Sequence, residues 1–123
     1  MKKRILFVDD ESALLAALQL ALGKDRVRWD MVFVHSAAEA LAQLQQTPFD
    51  VIVSDMQMPG MTGAQLLTEI HRCFPSTIRL MLTGFAPPSA LEEARPAIHE
   101  VLTKPCDLTV LRNTIARWLS VAA

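Results

Sequence analysis

The 123-residue chain has few of the features that mark several large classes of protein. It has two cysteines, Cys73 and Cys106, with no CxxC spacing, so we expect reduced thiols in a cytoplasmic protein rather than a disulfide or a cysteine metal site. No apolar run approaches the ~20 residues that cross a bilayer. The short run 5–8 is followed too soon by acids to serve as a signal peptide.

The chain also has no large excess of either positive or negative charge. The chain has 12 basic and 13 acidic residues and a net charge of −1, so no overall field favours nucleic acid or an anionic membrane. The basic residues at 2–4 are interpreted as a solvated terminus. We find no internal repeat or linker, and the length predicts one domain spanning 1–123.

Hydrophobic residues make up 51% of the chain, which suits a sheet that is covered on both faces. Five apolar, β-rich runs alternate with five helical patterns. Ser36 and Glu39 have the spacing of a helix N-terminal capping box. The predicted strands are 4–8, 29–34, 51–54, 78–82 and 100–103. The predicted helices are 11–22, 37–45, 63–73, 87–95 and 108–119.

This alternation predicts an α/β fold, a doubly wound five-stranded parallel sheet flanked by five helices. With the flavodoxin-like strand order 2-1-3-4-5, the order in which successive strands are added to the sheet reverses between its first and third strands. Ligands of such sheets bind at that point, beyond the carboxyl ends of the strands.

Polar residues follow four of the predicted strands and should converge there: Asp9 and Asp10, then Asp55, Thr83 and Lys104. Three close carboxylates repel one another unless a cation lies between them, and all-oxygen ligands suit Mg²⁺ or Mn²⁺. An aspartate so placed can attack phosphorus and form an acyl phosphate. An ammonium and a hydroxyl beside it can stabilise the phosphoryl oxygens.

Each of these residues also has an ordinary interpretation. Asp10 alone reads as a helix N-cap, Asp55 as a turn former before Pro59-Gly60, and Lys104 as a surface lysine. The joint pattern favours a site because the ordinary explanation must be invoked separately for each strand end.

With these motifs in place, the chain resembles the receiver domain of two-component response regulators over essentially its whole length. The matching segments are FVDDE at 7–11, DMQMPGMTG at 55–63, LTG at 82–84 and TKP at 103–105. The resemblance implies that Asp55 accepts a phosphoryl group from a phosphohistidine. It also implies a metal site formed by Asp9, Asp10, Asp55 and the backbone carbonyl of Gln57.

By the same resemblance, Thr83 and Lys104 contact the phosphate, and the Lys104–Pro105 peptide is cis. The implied partners are a histidine kinase or phosphotransfer protein and a downstream output domain or effector, with no direct nucleic acid contact and no membrane. Helix 4, strand 5 and helix 5 would form the switching face, which is also open to dimerisation. The domain would be a switch with slow autodephosphorylation, not an enzyme.

Three positions bear on how such a switch would work. Val101 replaces a frequent aromatic residue, Cys106 replaces another, and Phe85 would overlook the crevice mouth. Val101 gives weight to an alternative function, a phosphorylation-independent interaction module. A Mg²⁺-dependent phosphohydrolase is disfavoured because the chain lacks an insertion long enough to build a substrate cap.

Overall fold

The computed structural model describes residues 2–84 and 88–122. Its described strands form one parallel sheet in the order β2-β1-β3-β4-β5. The fold class and the strand order predicted from the sequence are therefore confirmed. The strands are β1 Lys3–Val8, β2 Trp29–Val34, β3 Val51–Ser54, β4 Ile78–Thr83 and β5 Glu100–Thr103.

Helices follow the strands in strict alternation. They are α1 Ser12–Ala21, α2 Ala37–Gln46, α3 Gly63–Cys73, α4 Pro88–Ala94 and α5 Leu108–Ala122, with 3₁₀ helices at Gly23–Val27 and Arg95–Ala97. Within the described ranges, no helix combines the length and apolarity needed to cross a bilayer.

The predicted ends of several helices differ from the observed ends by one to three residues. α1 begins at Ser12 rather than Glu11, and the chain after it tightens into the first 3₁₀ helix. α4 ends at Ala94 because Pro96 falls in the second 3₁₀ helix, while Pro87 lies outside the described residues. α5 continues beyond the predicted end at Leu119.

Two hydrophobic layers cover the sheet, one on each face. Side chains alternate along β1, so Leu6 and Val8 join the layer under α2, α3 and α4, whereas Ile5 and Phe7 join the layer under α1 and α5. Burial of both faces explains why the strands read as continuous apolar runs.

Capping fixes where α2 and α3 begin. The Ser36 hydroxyl accepts the Glu39 N–H at 3.1 Å, which confirms Ser36 as the predicted N-cap. The Glu39 side chain accepts from the Ser36 hydroxyl at 3.2 Å rather than from the Ser36 backbone N–H, so the predicted capping box is only half formed. A complete capping box starts α3, where the Thr62 hydroxyl accepts the Gln65 N–H and the Gln65 side chain accepts the Thr62 N–H. Sequence reasoning missed the capping box of α3, which ends the loop after β3 at Thr62.

The strand register brings the carboxyl ends of β1 and β3 level with each other. Val8 pairs with Ser54, and the Asp55 N–H donates to the Val8 carbonyl at 3.0 Å. On the other side, Thr83 pairs with Thr103. The residues that follow these strands therefore meet at one edge of the sheet.

Candidate functional site

Asp9 and Asp55 form the floor of the site. Both side chains are buried, although each is a carboxylate directly after an apolar strand. One Asp9 oxygen accepts the Glu11 N–H at 2.9 Å, and one Asp55 oxygen accepts the Met56 N–H at 2.8 Å. Local backbone thus orients both carboxylates toward the crevice between β1 and β3.

Glu11 is the third carboxylate of the site. One oxygen each from Asp9, Glu11 and Asp55 lie within 4.8 Å of one another. Asp10, which the sequence predicted as a metal ligand, is exposed and is not part of this group among the described residues. Sequence reasoning missed Glu11, because it placed this residue at the start of the first helix. In the structure Glu11 is extended, two residues after Asp9, and residues two apart in an extended chain share a side.

Lys104 provides the positive charge at the centre of this group. Its Nζ lies 2.8 Å from Asp9 Oδ2, 3.3 Å from Glu11 Oε1 and 3.4 Å from Asp55 Oδ1. The Lys104 N–H donates to the Thr83 carbonyl at 2.9 Å, which anchors the lysine to the end of β4. The Lys104–Pro105 peptide is cis, as the resemblance implied.

The pKa values of Asp55 and Lys104 are both raised, in part by the charged groups that surround them. Burial raises the pKa of Asp55 and the charge of Asp9 raises it further, while Lys104 only partly offsets these effects. Burial acts to lower the pKa of Lys104, but its hydrogen bond to Asp9 and the two nearby aspartate charges outweigh that effect, so the pKa is raised. Three carboxylates against one ammonium leave the group short of positive charge.

Thr83 and Gln57 are the other two residues that the sequence predicted for the site. Thr83 is buried at the end of β4, which pairs with β5, the strand that Lys104 follows. Gln57 is exposed in the loop after β3. Phe85, considered above as a residue at the crevice mouth, lies outside the described residues.

Gly63 allows α3 to begin directly against the backbone of Asp55. A Cβ at this position would lie 2.0 Å from the Asp55 carbonyl oxygen and 2.9 Å from Met56 Cα. The Gly63 N–H donates to the Met56 carbonyl at 2.9 Å. The sequence marked Gly63 only as a helix start, although it also sets how closely α3 supports the peptide of Asp55.

The carboxylate group fits a hard divalent cation. Its donors are all carboxylate oxygens, with neither histidine nor cysteine in the group, and two of the three side chains are buried. Such donor sets suit Mg²⁺ or Mn²⁺ rather than zinc or copper. The excess of negative charge around Lys104 is consistent with that fit.

A family model for the response regulator receiver domain matches residues 5–116. The chain belongs to this family. Among its relatives, the response regulator PilR of Pseudomonas aeruginosa is 31% identical over 96% of this chain and 26% of PilR. The response regulator receiver protein CpdR of Brucella abortus is 30% identical over 98% of this chain and 99% of CpdR. This receiver domain therefore spans about a quarter of PilR but almost all of CpdR.

Solved structures agree with this assignment. A CheY-like receiver domain from Methanospirillum hungatei has a TM-score of 0.92 at 27% identity, covering 99% of this chain and 97% of its own. The signal receiver domain of an HD domain-containing protein from Pseudomonas fluorescens has a TM-score of 0.92 at 30% identity, covering 99% and 98%. The acidic pocket of Asp9, Glu11 and Asp55 is consistent with the phosphoacceptor site of a receiver domain.

Proposed function

We propose that this receiver domain accepts a phosphoryl group on Asp55 from a histidine kinase or phosphotransfer protein, and that the modification changes partner binding. One observation carries the proposal. The buried Asp55 carboxylate lies within 4.8 Å of two further carboxylates and 3.4 Å from the Lys104 ammonium. This arrangement joins a nucleophilic oxygen to groups that hold cationic charge beside it.

Asp9 and Asp55 are the residues that we propose as metal ligands, with Asp10 and the Gln57 backbone carbonyl proposed from the family motif alone. When bound, Mg²⁺ or Mn²⁺ supplies positive charge to the oxygens of the phosphoryl group during transfer. Asp9 is held for this role by the Glu11 N–H, which donates to one of its oxygens.

In the proposed reaction, an Asp55 carboxylate oxygen forms a bond to phosphorus as the P–N bond of phosphohistidine breaks. The bonding pair stays on the imidazole nitrogen. A ring protonated on its other nitrogen leaves as neutral imidazole, and an unprotonated ring takes one proton from solvent as it leaves. The Lys104 ammonium pairs with the phosphoryl oxygens, and the Thr83 hydroxyl donates a hydrogen bond to one of them. Burial around Asp55 limits the access of water to the new acyl phosphate.

We propose that phosphate on Asp55 biases a two-state equilibrium of the face formed by α4, β5 and α5. This face carries exposed apolar side chains, Val101 at 39% and Val110 at 48% exposure. Its proposed partners are an output domain or effector protein, or a second copy of this chain, with no direct nucleic acid contact. We also propose a cytoplasmic location, which suits the two free thiols, Cys73 and Cys106.

The test is incubation with acetyl phosphate or phosphoramidate and Mg²⁺, followed by intact mass measurement. We expect a gain of one phosphoryl group in the wild type and in Asp30→Asn, since Asp30 is exposed on β2. We expect no gain with EDTA or in Asp55→Asn. If the wild type gains no phosphoryl group, the result would favour the alternative function, a phosphorylation-independent interaction module. An undiminished gain in Asp55→Asn would remove Asp55 as the acceptor.

A further inference from the structure

Lys104 has two buried carboxylate partners and one that faces solvent. The Asp9 and Asp55 side chains are each 6% exposed, whereas the Glu11 side chain is 64% exposed. Lys104 itself is mostly buried, with 18% of its side chain exposed. Among the described residues, Glu11 is therefore the one partner that lies on the solvent side of this ammonium.

The proposed function creates a conflict over Asp9 and Asp55. The same two carboxylates hold the Lys104 ammonium and are the proposed ligands of a divalent cation. Two positive groups that share these oxygens repel each other, so Lys104 must loosen its contact with Asp9 when Asp9 binds a cation. A mostly buried ammonium that loses a carboxylate partner needs another.

Glu11 is placed to be that partner. Its Oε1 already lies 3.3 Å from Lys104 Nζ. Glu11 is the N-cap residue of α1, yet its side chain makes no capping hydrogen bond within the described structure. Its carboxylate is therefore not committed to the backbone of α1 and remains available to the lysine.

We infer that Glu11 is a positioning residue that holds the Lys104 ammonium aside when Asp9 and Asp55 bind a divalent cation, and so raises the affinity for that cation. The inference rests on the proposed function. It differs from two simpler roles for Glu11, as a metal ligand or as a general negative charge, because its effect depends on Lys104.

A double-mutant cycle separates these roles. Isothermal calorimetry on the full chain would give the Mg²⁺ affinity of the wild type, Glu11→Gln, Lys104→Gln and the double variant. We expect Glu11→Gln to weaken the Mg²⁺ affinity about threefold when Lys104 is present. In the Lys104→Gln background, the same substitution should weaken the affinity by less than about 1.5-fold. Lys104→Gln alone should bind Mg²⁺ more tightly, since the competing ammonium is gone.

Two further variants serve as controls. Glu39→Gln removes the same charge from the first turn of α2, which begins at the same edge of the sheet, and should leave the affinity unchanged. Lys104→Met replaces Lys104→Gln if the latter does not fold.

Equal weakening by Glu11→Gln in both backgrounds, or no weakening in the wild type, would overturn the positioning role. Absence of any Mg²⁺ binding by the folded wild type would instead overturn the proposed metal site itself. The two failures are therefore distinguishable.

Discussion

At the scale of single residues, Gly63 links the packing of α3 to the position of Asp55, the proposed phosphoryl acceptor. It is buried at the first position of α3, and its missing side chain leaves room for the Asp55 carbonyl. Its importance comes from this close approach and not from an unusual backbone angle. The position of the Asp55 backbone therefore depends on the smallest residue being at the start of the next helix.

We expect Gly63→Ala to destabilise the domain by about 3 kcal/mol, because the added methyl must displace backbone rather than a flexible side chain. Gly23→Ala is the matched control, since its Cβ would approach only the end of the Arg26 side chain, at 3.9 Å. Urea unfolding of both variants checks the prediction. Equal stability of the two would contradict the packing account.

The residue scale also shows which parts of the site the sequence could predict. Asp9, Asp55 and Lys104 could be predicted to lie together because each directly follows an apolar strand, and parallel strands place such residues at one edge. Thr83 ends β4 at the same edge, and its role in the site stays a prediction. Glu11 could not be predicted as part of the carboxylate group, because it joins Asp9 and Asp55 only if the extended chain continues through residue 11 before α1 begins. That boundary is set by local backbone geometry rather than by residue type.

At the scale of elements, an ion pair between Asp25 and Arg112 connects the first 3₁₀ helix to α5. This buried carboxylate accepts hydrogen bonds from Arg28 Nη2 at 3.0 Å and from Arg112 Nε at 2.7 Å. Arg112 also donates to the Ala21 carbonyl at the end of α1. The sequence offered no sign of this link, since Asp25 and Arg112 are 87 positions apart and the 3₁₀ helix was not predicted.

This link makes stability depend on pH in the acid range. Burial alone would raise the pKa of Asp25, but the hydrogen bonds and charges of Arg112 and Arg28 outweigh it and hold the pKa below its ordinary value of 3.8. A lowered pKa in the folded state means that the stabilisation is complete above pH 3.8 and is lost as the pH falls through the folded-state pKa.

We expect Asp25→Asn to cost about 3 kcal/mol at neutral pH, since it leaves two arginines without their carboxylate. The difference from wild type should shrink as the pH falls below 3.8. Urea unfolding across this range measures it. The exposed Asp30→Asn is the control and should change little at any pH, so a pH-independent deficit in Asp25→Asn would contradict the account.

At the scale of the whole molecule, the parallel sheet with helices on both faces could be predicted from the alternation of strands and helices, because right-handed crossovers leave few arrangements for such a sheet. The switching mechanism did not follow, because it depends on how the α4, β5 and α5 face rearranges. Val101 is 39% exposed on that face, so its side chain does not fill the interior.

Cation binding should be visible as stability of the whole domain. A ligand that binds only the folded state stabilises it, by about 2.7 kcal/mol at one hundred times its dissociation constant. We expect Mg²⁺ to raise the midpoint of thermal unfolding in the wild type and to have a much smaller effect in Asp9→Asn. Circular dichroism melts with and without Mg²⁺ check this, and identical midpoints in the wild type at millimolar Mg²⁺ would contradict the metal site.

The most direct test of the central claim locates the phosphoryl group in the chain. After reaction with phosphoramidate and Mg²⁺, borohydride reduces an aspartyl phosphate to homoserine, which peptide mass spectrometry identifies by position. We expect homoserine at residue 55 and at no other aspartate. Homoserine elsewhere with residue 55 unchanged, or no homoserine in a folded and Mg²⁺-bound domain, would contradict it.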